Sequence, residues 1–276
     1  MSGSRNPFLL FLRFAIILII VAVLLLPFLW ILVNSFRPTM DIVGGPEIIP
    51  SAVTLANYTG LLESTPYWTW VRNSTIVAIM TIVLTVPIAV AASYGLNRCH
   101  FPGRNQLGVA VLAVYAFPTA ILVIPMFALF NRFGLLDTYL GLALVNTLLA
   151  TPFAIWMLQA FMKSVPSEIE EASAMDGSGR VRTLVRIVVP QIMPGIFSVA
   201  VFAMVVAWTE YLFASVLMQS DTNRVLAVGM ADLIGQYRID WGRLLAGSVM
   251  TAAPVILFFS ITARWFLRGV SAGSLD

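Results

Sequence analysis

Apolar residues recur in this chain as long, nearly unbroken runs rather than with the alternation of half-buried strands or the three-to-four spacing of half-buried helices. Six stretches qualify, at approximately 14–36, 73–97, 107–130, 138–162, 191–218 and 244–263, each carrying few or no charges. A helix needs about 20 mostly apolar residues to cross the hydrocarbon core of a bilayer. The pattern therefore predicts an all-α integral membrane protein with six transmembrane helices. The first run follows Arg5 and Arg13, as in a signal peptide. It is longer than the roughly 7–15 residues of a signal core, and no small-x-small site follows, so an uncleaved helix is expected.

Composition agrees and narrows the architecture. Hydrophobic residues make up 59% of the 276 positions and charged residues 11%, against about 45–50% and about 25% in soluble domains. No polar block is long enough for a separate soluble domain, so residues 1–276 are read as a single transmembrane domain. One cysteine, Cys99, excludes an internal disulfide, and with one histidine, His100, it argues against a Cys/His metal site. Basic residues are retained on the inner side during insertion. With the N-terminus inside, ten of the 16 Lys and Arg residues fall in inner segments, which predicts both termini in the cytoplasm. The pI near 9.3 is then a matter of topology and calls for no nucleic-acid partner.

One inner segment breaks the apolar pattern. Residues 163–190 form the longest inner loop, and their first part, Pro166 to Ala172, reads as a helix start. Ser167 and Glu170 have the spacing of a capping box, and the acidic residues suit the positive end of a helix. Gly177 supplies a left-handed turn. From Ser178 a second helical pattern places Val181, Leu184, Val185, Ile187 and Val188 on one side, and Arg182, Thr183 and Arg186 on the other. A basic amphipathic helix on the inner leaflet would explain 178–188 through contact with membrane lipid. It would not explain the acidic helix before it, which anionic lipid repels and which calls for a protein partner.

Glu171-Ala172-Ser173, then Gly177, then Ile187 and Pro190 at their spacing resemble the EAA loop of permease subunits of ATP-binding-cassette importers. Serine replaces the common alanine at Ser173, and valine the common leucine at Val189. Phe101-Pro102-Gly103, Trp208 to Ala214, Asp240-Trp241-Gly242 and Arg268 to Gly273 resemble the shorter six-helix permease of the maltose-type sugar importers, although the tail ends Ser274-Leu275-Asp276 rather than in basic residues. The resemblance implies a type I importer permease in a bacterial inner membrane, moving a sugar or polyol by alternating access. It implies a second related permease, two ATPase subunits that hold ATP and magnesium, and an extracytoplasmic solute-binding protein. It also implies that Glu170, Glu171, Ala172, Ser173, Asp176, Gly177, Ile187 and Pro190 form the coupling contact. The chain carries no G-x-x-x-x-G-K-[ST] phosphate loop, so it is expected to bind no cofactor and to be a transport subunit rather than an enzyme.

Other residues are candidates on chemistry alone. Glu210 is an acid inside the fifth span, and such groups mark pathways by default. Asn146, Thr147 and Thr151 in the fourth offer hydrogen bonds to a polyol, to neighbouring helices or to their own backbone. Trp68, Trp70, Trp208 and Trp241 are expected as interface anchors, and Pro87, Pro118, Pro125, Pro152 and Pro254 as mid-span interruptions. The outer loop 219–243 offers Asp221, Arg224, Tyr237 and Arg238 to a binding protein, while its apolar 225–235 part suits a cap folded on the permease itself. A solute such as a glycerol-phosphate-type polyol, or an ion-coupled secondary transporter, are the alternatives. The second would have no use for the inner-loop motif.

Overall fold

The computed structural model describes residues 7–44, 52–235 and 239–272. Tyr237, Arg238 and the tail Gly273 to Asp276 lie outside the described residues. The chain divides into two compact units, residues 1–66 with 232–253 and residues 67–231 with 254–276.

The first unit contains α1 (Pro7–Ser35), α2 (Thr39–Gly44) and α3 (Ala56–Ser64). From Phe11 to Leu32 the side chains of α1 are largely exposed, an apolar surface suited to lipid rather than water. Its end is fixed by polar bonds: Asn57 Nδ2 donates to the carbonyls of Ser35 at 2.9 Å and Arg37 at 2.7 Å. Ser35 and Tyr58 share a hydroxyl pair at 2.7 Å. The Asp-Trp-Gly sequence finds its reason here. Asp240 Oδ1 accepts from Arg243 N at 3.2 Å, capping the last helix. A Cβ on Gly242 would lie 2.2 Å from Asn57 Oδ1.

The second unit holds α4 (Tyr67–Arg98), α5 (Arg104–Tyr115), α6 (Thr119–Arg132), α7 (Tyr139–Lys163), α8 (Ser167–Met175), α9 (Arg180–Thr183), a π-helical turn (Leu184–Val188), α10 (Val189–Gln191), α11 (Met193–Thr209), α12 (Leu212–Leu217) and α13 (Leu226–Ala231). The last helix, α14 (Trp241–Ala272), contributes to both units. The core is built by α4, α7 and α11. Helices α4 and α7 run parallel, joined at one end by Tyr139 Oη donating to Asn73 Oδ1 at 2.8 Å and at the other by Arg98. Small buried residues line the three helices, among them Ala78, Thr81, Ala89, Ala143, Ala150, Ala154, Ala200 and Ala203. They allow the close approach on which helix packing in lipid depends.

Four single helices are long and apolar enough to cross a membrane, and two bent pairs bring the possible total to six. The structure differs from the sequence pattern at the third and fifth runs. The third is not one rod: α5 and α6 meet at 92°. Pro118 has no N–H to extend the helix and disfavours helical geometry at Phe117, so the chain turns there. In the fifth run α11 stops at Thr209, and α12 begins only after Glu210 and Tyr211. Two tryptophans also differ from expectation. Trp70 and Trp208 are 4% and 3% exposed, packed inside rather than placed as interface anchors. Trp70 lies beneath Gly229, where a Cβ would come within 2.2 Å of the indole.

Candidate functional site

The charged segment 163–190 folds as a hairpin of α8 against α9 and the π-helical turn. Pro166 enters α8 with φ −61° and ψ 135° and offers no side-chain cap. The capping box read from Ser167 and Glu170 does not form, because Glu170 has stronger partners. Arg98 Nε donates to Glu170 Oε1 at 2.5 Å, and Tyr94 Oη donates to Oε2 at 2.9 Å. Arg98 Nη2 also donates to the carbonyls of Val165 at 2.6 Å and Met162 at 3.3 Å, satisfying the end of α7.

The turn itself rests on Gly177, whose φ of 79° is the left-handed conformation expected. Gly177 N donates to Ala174 O and Ser178 N to Ser173 O, each at 3.0 Å. The two arms are joined by a buried hydroxyl pair, Ser173 with Thr183 at 3.1 Å. The serine that departs from the usual alanine thus has a partner on the facing arm. Beyond it, the helix widens to a π turn in which Val189 N donates to Leu184 O. Pro190 lacks the N–H that would extend the regular ladder, which accounts for a one-residue shift at this point.

This geometry revises the expected faces of the second arm. Thr183 and Val188 turn inward, whereas Val181 is 76% and Val185 57% exposed. Glu171, Ala172, Asp176 and Gly177 are exposed, as is Pro190, while Ile187 is half-buried. Met175, which the sequence reading passed over, is 89% exposed beside the turn. A lone apolar residue two positions before the turn glycine was the available signal. The hairpin therefore exposes Met175, Val181 and Val185 among charged residues, while Ser173, Thr183 and Val188 are turned inward.

The mid-span candidates face inward. Asn146 is fully buried, and Thr147 and Thr151 donate to the carbonyls of Ala143 at 2.8 Å and Thr147 at 2.6 Å. Glu210 accepts from Phe213 N at 2.8 Å and Ala214 N at 2.9 Å, so both carboxylate oxygens bind the start of α12. The break in the fifth run and its acid are one feature.

The loop after α12, expected from the sequence to lie outside, is clasped. Asp137, at φ 56°, accepts through Oδ1 from Gln219 N at 3.0 Å and Ser220 N at 3.1 Å, and through Oδ2 from Asn223 Nδ2 at 3.2 Å. Asn73 Nδ2 donates to the carbonyls of Thr222 and Arg224 at 2.9 and 2.8 Å. Leu226 N donates to Ser74 Oγ at 2.8 Å. The 226–231 segment is helix α13, with Leu226 and Val228 buried, the folded cap that the apolar sequence allowed. Asp221, 87% exposed, pairs with Arg224 at 2.7 Å.

Burial pushes the Asp137 carboxyl upward, but hydrogen bonds from Ser220, Gln219 and Asn223 outweigh it and hold the group below its ordinary value. A carboxylate lowered in the folded state contributes stability that is complete above its unfolded pKa of about 3.9 and is lost as pH falls through the lowered native value. Thermal melts of the purified protein between pH about 5 and 3 are expected to show an acid-dependent loss that the Asp137→Asn variant lacks. Equal slopes in the two proteins would remove this assignment.

Long apolar helices packed around α4, α7 and α11 are the architecture of a multi-pass membrane protein. The chain belongs to the family of inner membrane components of binding-protein-dependent transport systems, whose model matches residues 85–271. It is 34% identical to the inner membrane ABC transporter permease protein YcjP of Escherichia coli (strain K12), over 91% of each chain. It is 32% identical to the trehalose transport system permease protein SugB of Mycobacterium tuberculosis (strain CDC 1551 / Oshkosh), covering 93% of this chain and 94% of that one. In three dimensions it matches a chain from the crystal structure of a bacterial ABC transporter involved in import of the acidic polysaccharide alginate, with TM-score 0.77 at 20% identity, over 96% of this chain and 99% of that one. The fold is thus that of a type I ABC importer permease, and the chain is a permease subunit rather than an enzyme.

Proposed function

We propose that this chain is one of a pair of permease subunits that move a sugar or related polyol inward across a bacterial inner membrane by alternating access. In this reading the third and fifth apolar runs, though broken, complete six spans with the hairpin 163–190 outside the membrane, both termini are cytoplasmic, and residues 1–276 act as one transmembrane domain. The observation that carries it is the hairpin. Its inner contacts are made by Ser173, Thr183 and Val188, leaving Glu171, Ala172, Met175, Asp176 and Val181 for a partner. That partner is one of two ATPase subunits, which bind ATP and magnesium; this chain binds neither. A loaded solute-binding protein delivers substrate to the outer face, where exposed Asp221 and its partner Arg224 present a polar surface. Tyr237 and Arg238 belong to the same proposed contact. Glu210 shapes the pathway through the break it stabilises, and Asn146, Thr147 and Thr151 are further candidates for its lining.

Relatives named for trehalose, diacetylchitobiose and sulfoquinovosyl glycerol uptake support a carbohydrate as the cargo. The test is reconstitution with the partner permease, the ATPase and the binding protein. Uptake of a labelled oligosaccharide is expected to require both ATP and the loaded binding protein. Uptake by this chain alone under a proton or sodium gradient would overturn the proposal.

Orientation has its own check. Cys99, just beyond the end of α4 and part-exposed, is expected to react in intact cells with a permeant thiol reagent and to resist an impermeant one. Labelling from outside would invert the topology.

A further inference from the structure

We propose that Glu170, Arg98 and Tyr94 form a latch that makes the coupling hairpin move as one body with the inner ends of α4 and α7, Glu170 being a positioning residue and not itself a contact with the ATPase. The proposal rests on reading the hairpin as the ATPase contact. It begins from how weakly α8 is otherwise held. Its principal packing partners are α9 and the π-helical turn, so α8 leans on its own hairpin rather than on a span. The second arm is seated through apolar side chains: Val188 and Ile192 join Tyr94, Leu158, Met162 and Val165 in one buried cluster. The first arm has no such anchor.

Glu170 supplies what is missing. Its two oxygens are taken by two different residues of α4, Arg98 at 2.5 Å and Tyr94 at 2.9 Å. The pair is largely withdrawn from water, with side-chain exposures of 20% for Arg98 and 11% for Glu170. Arg98 extends the link to a third element, because the same guanidinium binds Val165 O and Met162 O at the end of α7. The guanidinium uses separate atoms, Nε for the carboxylate and Nη2 for the two carbonyls, whereas a lysine ammonium would have to reach all three from a single nitrogen. A cleft of about 450 Å³ lies beside the latch, whose residues form part of its wall together with Asn97, His100, Ser167 and Arg180. Successive acids thereby divide the work: Glu170 is turned to the bundle and Glu171 is left exposed. A push on the hairpin then reaches α4 and α7 together.

The test compares Glu170→Gln, Arg98→Lys and Tyr94→Phe with the parent in the assembled, reconstituted complex. Glu170→Gln is expected to lower the sugar accumulated per ATP hydrolysed about tenfold, since a hydrogen-bonded charge is lost. Arg98→Lys should fall between it and the parent, and Tyr94→Phe, which keeps the ring in its cluster, should lose roughly twofold to threefold. A purely structural role would lower uptake and hydrolysis in parallel and leave their ratio unchanged; that result, or an unaltered ratio in Tyr94→Phe if the other variants fail to assemble, overturns the latch. Amide hydrogen exchange reads the link without the ATPase: residues 167–176 should exchange about tenfold faster in Glu170→Gln, and unchanged exchange also overturns it. If the parent complex shows no dependence of transport on the hairpin while exchange responds, the proposed function fails and the mechanical link stands.

Discussion

Gly177→Val is expected to reduce uptake by the assembled transporter about tenfold or more, the largest effect of any single change in the hairpin. At φ 79° a β-branched side chain is strained by its own backbone, and no neighbouring atom lies within 4 Å to be blamed or to relieve it. Such strain is of order 1–3 kcal/mol, a substantial fraction of what holds so small a hairpin. Relief requires the backbone to leave the left-handed region. That would break the bonds from Gly177 N to Ala174 O and from Ser178 N to Ser173 O, and would re-aim Met175 and Val181. Asparagine tolerates this conformation better than valine, so Gly177→Asn should retain more transport. Vesicle uptake measured at matched amounts of complex decides it, and valine behaving like glycine would remove the turn from the coupling contact.

Gly141→Ala should have the largest effect on stability, through a clash that has nowhere to relax. The new Cβ would lie 2.2 Å from Leu135 O, a main-chain atom, and 3.0 Å from Thr138 Oγ1. Both are committed: Thr138 caps α7 by accepting from Gly141 N at 3.0 Å and donates to Leu135 O at 2.8 Å. Overpacking of this kind costs about 1–3 kcal/mol, and loss of the cap adds to it. Gly95→Ala is the control. It lies in α4 with nothing within 4 Å, where alanine should add about 0.5–1 kcal/mol. The melting temperatures of the two variants should therefore move in opposite directions, and a Gly141→Ala protein as stable as the parent would contradict the geometry.

The apolar runs and the position of the hairpin were legible because hydrocarbon tolerates few charges and an isolated charged stretch stands out against that background. Gly177 was legible for a related reason: its place between two helical patterns called for a left-handed residue. The partners of Glu170 were not. Local spacing offered a capping box with Ser167, whereas Arg98, 72 positions away, formed the ion pair. The inward turn of Thr183 was hidden because its partner is another hydroxyl, Ser173, and periodicity counts both as polar. Pro118 was visible as a mid-span interruption and Pro190 as part of the loop motif, but not that one would lie at a 92° bend and the other beside a π turn. Trp70 was read from the habit of tryptophan at interfaces, and the glycine that opens space for it, Gly229, is 159 residues further along the chain. Tertiary fit of this kind leaves no local signature.

The interruption at Glu210 has a consequence for building new permeases. Upstream of it, α11 leads directly from the hairpin proposed as the ATPase contact; downstream, α12 leads into the clasped loop that follows it. Because Glu210 carries its own cap for α12, with both oxygens on Phe213 N and Ala214 N, the second segment starts from local bonds and does not depend on continuing the first helix. A splice placed just before Glu210 would join two self-sufficient helical starts. Grafting the portion of a relative that follows this seam onto this chain would exchange the loop proposed to meet the binding protein while leaving the hairpin proposed to meet the ATPase in its native register.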